Sequence, residues 1–310
     1  MQAIGVDLGG TKLHAALFSL AGEILLDRTV LLEGRTGNQV AGLITAVCNL
    51  LLKEQGIPVE EEKKIGICVP GIADNHTDRV WAPNIPGWGS FPLKEYITGA
   101  IPNTEVIIAS DRTCYILGEA SLGVARGCSD AIFMSIGTGI GAGIMTDGRV
   151  IHGSADIAGA VGWMAMQPPF VDEYSNSGCL ETYASGTGIA AQARKLSGQP
   201  GVYPDARSVF EAYERGNTVA LRVIDKAVEL WGMAAANLVS IFNPSKVIWG
   251  GGVFGPAVRF LDRIYYEACK WAQPISIRQC RFEASGLDQK AGILGAGRLA
   301  LEAMKAYEEK

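Results

Sequence analysis

Ala3-Ile4-Gly5-Val6-Asp7-Leu8-Gly9-Gly10-Thr11-Lys12 is an apolar, β-rich run that ends in a carboxylate and breaks on a double glycine. A second strand-like run, Leu13-His14-Ala15-Ala16-Leu17-Phe18, follows, then a turn at Ala21-Gly22 and a third run at Glu23-Ile24-Leu25. This reads as strand, glycine hinge, strand, turn, strand. The same unit recurs far downstream. Ala131-Ile132-Phe133-Met134-Ser135-Ile136 leads through Gly137-Thr138-Gly139 to Gly143-Ile144-Met145, a turn at Asp147-Gly148, and Arg149-Val150-Ile151. An internal repeat of this size, at the start of each half of the chain, predicts two similar α/β domains. Two glycine-rich hairpins facing each other could grip a polyphosphate from both sides.

Between the repeats the pattern alternates helix and strand. Val40, Leu43, Ile44, Val47, Leu50 and Leu51 fall at helical spacing, and Gly56 and Pro58 stop that helix. Lys64–Val69 and Glu105–Ala109 read as strands, and Arg112–Gly123 as a helix opening on Ser110 or Asp111 as N-cap. Val219–Phe242 reads as a long apolar helix ended by Asn243-Pro244, Val247-Ile248-Trp249 as a buried strand, and Ala291–Glu309 as a closing helix with a solvated, charged end.

Composition bounds the function. The 310 residues predict about two domains, and 48% apolar with 19% charged residues is a globular balance. A net charge of −5 supplies no basic field for a polyanion, so nucleic acid is not an expected partner. The longest apolar run, Leu43–Leu52, is too short to span a bilayer and includes Thr45 and Asn49. Met1-Gln2-Ala3 runs straight into a strand, without a signal-peptide layout, and the seven cysteines are scattered with no C-x-x-C. The expectation is a protein of the cytoplasm, without a membrane partner. Glycine is abundant, at 39 residues, and clusters at residues 9–10, 137–143, 250–252 and 292–297. Such clusters form turns, and also let backbone approach a ligand or present rows of amides to an anion.

Gly250-x-Gly252-x-x-Gly255 satisfies the dinucleotide pattern, but no βαβ unit with a suitably spaced acid follows it. The Walker P-loop is absent, since Gly10 precedes Thr-Lys. Asp7, at a strand end beside the double glycine, is placed to hold Mg²⁺ or to form a turn. Asp111, at the C-terminal end of a strand, is equally a helix cap or a base. His14, His76 and His152 are dispersed and read as structural or surface residues.

Taken in order, these motifs resemble the ROK family (repressor, open reading frame, kinase) of sugar kinases and sugar-responsive repressors, within the actin/hexokinase-like fold. Asp7-x-Gly9-Gly10-Thr11-Lys12 is similar to that family's first phosphate motif, and Gly137-Thr138-Gly139-Ile140-Gly141 to its second. Gly250-Gly251-Gly252-Val253 resembles the adenosine loop. Val69-Pro70-Gly71 and Ala82-Pro83-Asn84-Ile85-Pro86-Gly87-Trp88 resemble sugar-side loops, and Ser110-Asp111 with Gly118-Glu119-Ala120 the catalytic segment.

The resemblance implies an α/β protein of two actin/hexokinase-like (ribonuclease H-like) domains flanking an active-site cleft. The small domain would span residues 1–112 plus 295–310, the large one 113–294. It implies an ATP- and Mg²⁺-dependent kinase of a sugar or sugar-like polyol, and a homodimer. Asp111 would be the general base and Asp7 would help hold Mg²⁺, directly or through water. Gly9, Gly10, Thr11, Lys12, Gly137, Thr138, Gly139, Gly250, Gly251 and Gly252 would line the nucleotide. Gly71, Asn84, Ser110, Asp111, Trp163 and Glu181 would lie at the sugar. The alternative is a catalytically weak sugar and nucleotide sensor. The repressor branch carries a helix-turn-helix ahead of the first phosphate motif, and only six residues here precede Asp7, so no DNA-binding domain is expected.

The sequence departs from the family on the sugar side. Its catalytic Asn is Ser110, and its Glu-x-Gly-His signature reads Ala160-Val161-Gly162-Trp163. Its Cys-x-Cys-Gly-x-x-Gly-Cys-x-Glu zinc loop reads Asp172-Glu173-Tyr174-Ser175-Asn176-Ser177-Gly178-Cys179-Leu180-Glu181, retaining Cys179 and Glu181. No structural zinc is therefore expected, and glucose is expected to be a poor acceptor, with Trp163 either stacking on a less polar ring or filling the space the zinc loop leaves.

Overall fold

The two glycine-hinged repeats each open a five-stranded sheet of the same topology. The structure, a computed structural model, describes residues 2–308. It divides into two compact units: Met1–Arg126 with His152–Ile157 and Leu287–Lys310, and Gly127–Ile151 with Ala158–Gly286.

In chain order the first unit comprises β1 (Gln2–Leu8), β2 (Lys12–Phe18), β3 (Ile24–Leu31), α1 (Gly37–Glu54), β4 (Lys63–Val69), β5 (Ile72–Asp74), β6 (Arg79–Trp81), α2 (Leu93–Ala100), β7 (Thr104–Ser110) and α3 (Asp111–Leu122). The second comprises β8 (Ala131–Ile136), β9 (Ile140–Thr146), β10 (Arg149–Val150), α4 (Tyr174–Ser177), α5 (Cys179–Ala184), α6 (Gly186–Ser197), α7 (Ala206–Glu214), α8 (Thr218–Phe242), β11 (Lys246–Gly250), α9 (Leu261–Cys269), α10 (Pro274–Gln279) and β12 (Arg281–Ala284). The closing helix α11 (Ala291–Glu308) returns to the first unit. The expected end of that helix at Glu309 lies outside the described residues.

The sheet orders are β3-β2-β1-β4-β7 and β10-β9-β8-β11-β12, each with three antiparallel strands followed by two parallel ones. In the first sheet, Ile4, Val6, Leu8, Ile65 and Ile67 pack with Val40, Ile44 and Leu51 of α1. On the opposite face, Ala3, Ala16 and Phe18 meet Ile293, Ala300 and Met304 of α11. Small residues on that face let α11 lie close to the sheet. A Cβ at Gly66 would sit 2.0 Å from the Ala296 carbonyl oxygen.

The expected boundary after residue 112 falls inside α3. The helix stays whole with the first unit, because α3 packs along α11: a Cβ at Gly295 of α11 would meet the Cys114 carbonyl oxygen at 1.9 Å. The glycines of residues 292–297 thus lie in a helix, where those at 292, 295 and 297 closely approach neighbouring protein atoms. In the second unit, Leu230, Trp231, Ala234, Leu238 and Val239 of α8 join Ile132, Met134, Val247 and Trp249 of the sheet in one core. Among the described residues, no helix is long and apolar enough to cross a membrane.

Candidate active site

The register of the first sheet brings its chemistry to one strand edge. Asp7 pairs with Cys68, and Cys68 with Ala109, so these three lie side by side, with Asp111 two residues beyond. Ser110 is the N-cap of α3: its hydroxyl accepts from the Thr113 amide at 3.4 Å and contacts the Thr113 hydroxyl at 3.2 Å. That hydroxyl holds the helix start, a role the reading of Ser110 as a sugar contact leaves out. Asp111 then opens the helix, and its Oδ1 accepts from the Arg112 amide at 2.8 Å.

Burial raises the Asp111 carboxyl from 3.8 to about 6; the Arg112 charge and amide oppose the shift, and the Asp7 charge adds to it. Arg112 has a buried Nε without a hydrogen-bond partner. Burial also raises Asp7, against the Cys68 thiol, which hydrogen-bonds it, and the charges of His14 and Lys12. Two neighbouring acids, one of which disfavours the other's ionisation, are donor chemistry that suits a divalent cation.

Beside Asp7, the β1–β2 hinge is closed by the Gly9 amide donating to the Lys12 carbonyl at 2.9 Å. Gly10 and Thr11 are exposed, and a Cβ at Gly10 would lie 3.6 Å from Cβ of Asn84. The hinge and the exposed Asn84 therefore adjoin. Lys12 Nζ donates to Gln289 Oε1 at 3.0 Å. Gly71 serves the backbone, since a Cβ there would meet the Trp81 carbonyl oxygen at 2.0 Å. Glu119 is buried and accepts from the Val124 amide past the end of α3. His14 contacts Asp27, the His76 amide donates to Asp74, and His152 lies 3.5 Å from Asp156.

The second unit carries the other glycine hinge. The Gly137 amide donates to the Gly139 carbonyl, and the Gly137 carbonyl accepts from the Gly186 amide at 2.7 Å. The Thr138 carbonyl accepts from the Thr187 hydroxyl at 2.8 Å, so the start of α6 clamps this loop. Gly137, Thr138, Gly186, Thr187, Arg194 and Gly252 help line a cavity of about 700 Å³. Of the triple glycine, only Gly252 lines that cavity. Gly250 packs on the Phe133 ring, and Gly251, at φ +91°, lies against the Ile136 backbone. The sequence reading missed Gly186, Thr187 and Arg194; the one signal for them was Ser185-Gly186-Thr187-Gly188, a small-residue helix start.

Glu181, on α5, turns toward the same hinge. Its Oε2 accepts from the Ile140 amide at 2.6 Å, and burial raises its pKa while that amide lowers it. Trp163, on a 3-10 turn at Val161–Trp163, is 55% exposed and lines a separate cavity of about 550 Å³. Of the residues in the family's zinc positions, Cys179 is buried, and one sulfur does not make a four-ligand site.

The sequence model of the ROK family matches residues 3–303. The chain belongs to the ROK family. A glucokinase from Thermotoga maritima is 31% identical, over 97% of this chain and 98% of that protein. A xylose repressor from Caldicellulosiruptor bescii is 29% identical, over 99% of this chain and 79% of its own. The crystal structure of a ROK family glucokinase from Streptomyces griseus, in complex with glucose and AMPPNP, superposes with a TM-score of 0.76. It is 28% identical and covers 97% of this chain and all of its own. The repeated sheet is thus the actin/hexokinase-like fold of ROK proteins, and this ROK chain keeps both glycine hinges and the strand-end aspartates.

Proposed function

We propose that this ROK protein is an ATP-dependent carbohydrate kinase that phosphorylates a hydroxyl of a sugar or sugar-like polyol, with Asp111 as general base. The observation that carries the reading is the strand edge of the first unit. There a carboxyl shifted to about 6 lies at a helix start, next to Asp7 and the Gly9-Gly10-Thr11 hinge.

Phosphoryl transfer demands alignment of the acceptor and stabilisation of spread negative charge, with little covalent work by the protein. The acceptor oxygen attacks the γ-phosphorus, the bond to ADP breaks, and the hydroxyl proton passes to Asp111. A base with a pKa near 6 is ionised at neutral pH yet basic enough to take that proton. Asp7, with Asp111 beside it, would hold Mg²⁺, which supplies charge neutralisation on the phosphates. In the second unit, Gly137, Thr138 and Gly252 face a cavity of nucleotide size, with the α6 N-terminus at its wall. The kinase names of relatives and the AMPPNP-bound neighbour support the same reading.

The test is ADP release with Mg-ATP across aldoses, ketoses, aminosugars and cyclitols. Turnover with at least one of them is expected. ATP binding without turnover on any acceptor would overturn the kinase reading in favour of a sugar and nucleotide sensor.

A further inference from the structure

The cavity of about 550 Å³ at Trp163 has no role in the phosphoryl-transfer reading. Trp163, Met166, Pro168, Phe170, Tyr174 and Cys179 are among its lining residues. Its polar atoms are largely occupied within the wall. The Tyr174 hydroxyl bonds the Tyr183 hydroxyl at 3.1 Å and accepts from Gln167 Nε2 at 3.3 Å. Tyr174 also meets the Phe170 ring edge-on at 5.9 Å. What remains toward the cavity is mostly aromatic and aliphatic, and two large rings, Trp163 at 55% and Phe170 at 70% exposure, are left in water.

The cavity wall adjoins the Glu181 carboxylate through the Gly162-Trp163 backbone, on which Gly178 of the wall packs. A Cβ at Gly162 would lie 2.8 Å from Glu181 Oε2, and a Cβ at Gly178 would lie 2.5 Å from Trp163 Cα. The carboxylate that the kinase reading places at the sugar and an apolar cavity are therefore set side by side in one unit. A ligand that satisfies both has a polyhydroxylated end and an apolar end. The volume suits a ring or short alkyl group rather than a protein helix.

We propose that this cavity takes an alkyl or aryl substituent carried by the sugar acceptor, whose hydroxylated ring lies at Glu181. This deepens the kinase reading and rests on its placement of the sugar at Glu181. Trp163 would stack on the substituent, and Phe170 would close over it.

The test compares free sugars, their methyl and benzyl glycosides, and N-benzoyl aminosugars as acceptors. Full burial of an aromatic group in such a cavity corresponds to about a ten- to hundredfold gain. The expected result is that at least one benzyl or benzoyl derivative exceeds its free sugar in kcat/KM by tenfold or more, through KM. The ratio should collapse toward one in Phe170→Ala. The same derivative should change tryptophan fluorescence in the wild type and not in Trp163→Phe. Free sugars that match or exceed every derivative, with no fluorescence response, would overturn the inference while the kinase reading stands. Absence of turnover with every acceptor, but a Trp163-dependent response to the derivatives, would overturn the kinase reading and leave the cavity assignment standing. Loss of self-association in Phe170→Asp by sedimentation, with the kcat/KM ratio unchanged, would assign the cavity to a second copy of the chain and overturn the proposal.

Discussion

The Asp7 carboxylate lies directly against Gly292 at the start of α11: a Cβ added to that glycine would sit 2.5 Å from Oδ2 and 2.6 Å from Cγ. The helix that closes the chain therefore sets how much room the candidate metal-binding acid has. The contact exists because α11 lies close over the small residues of β1 and β4, so its first turn arrives at the strand edge where Asp7 ends.

Gly292→Ala is expected to displace the Asp7 side chain without disturbing the fold, since the clash is with the end of a side chain. The Mg²⁺ concentration for half-maximal activity should rise severalfold while the melting temperature stays nearly unchanged. Gly66→Ala is the contrasting case. Its Cβ would strike the Ala296 carbonyl, which is backbone, and a stability loss of about 1–3 kcal/mol or more is expected. Magnesium titration of activity and thermal unfolding of both variants check this; equal behaviour would refute it.

Asp111→Asn should lose about 10²–10⁴-fold in turnover, the usual worth of a general base, and keep its affinity for ATP. Steady-state kinetics beside equilibrium nucleotide binding make the measurement. Unchanged turnover would place the base elsewhere.

With the Asp111 carboxyl at about 6, kcat/KM should climb with pH below that value and level off above it. The sign for stability is opposite. The folded state holds this proton between 3.8 and about 6, where the unfolded chain has released it, so this group's contribution to stability falls as pH rises through that window. Asp111→Asn should remove both the acid limb of the rate profile and this slope. Urea unfolding from pH 4 to 7 reads the second.

Glucose is expected to be a poor acceptor. Ala160 and Trp163 stand where the family pattern has a glutamate and a histidine, and the Ser110 hydroxyl caps α3. Loss of one hydrogen bond to a charged group is worth about 1.5–3 kcal/mol, or about 10–150-fold. A kcat/KM for glucose of ~10⁴ M⁻¹s⁻¹ or more, in the range of ordinary enzymes, would contradict this.

Zinc should be absent at stoichiometric levels after mild chelation, because Cys179 alone of the family's sulfur and imidazole ligands is present. Elemental analysis decides it.

Much of the fold was legible in the sequence because its signals are local. The two strand–hinge–strand units appear as β1–β3 and β8–β10, and the α8 pattern, expected over Val219–Phe242, is helical over Thr218–Phe242. The N-cap role weighed for Ser110 or Asp111 falls to Ser110. Strands β5, β6 and β12 went unread, because three or four residues carry too little alternation to stand out. The short helices α4, α5 and α10 have the same difficulty.

The sequence by itself determined the repeat, the two glycine hinges, the strand-end aspartates and the altered sugar-side motifs, because each lies within a short stretch of chain. Only the tertiary structure decided which glycines serve a cavity and which serve packing. Gly252 lines a cavity, whereas Gly66, Gly250 and Gly295 lie against protein atoms. It also decided that Trp163, 55% exposed, lines an apolar cavity with Tyr174, Ser175 and Cys179 of the stretch at the family's zinc positions, and that Glu181 turns its Oε2 to the Ile140 amide. The physical reason is the same in each case. A residue's type and spacing state what it can do, but the atoms within 4 Å of it come from distant parts of the chain, and they decide what it does.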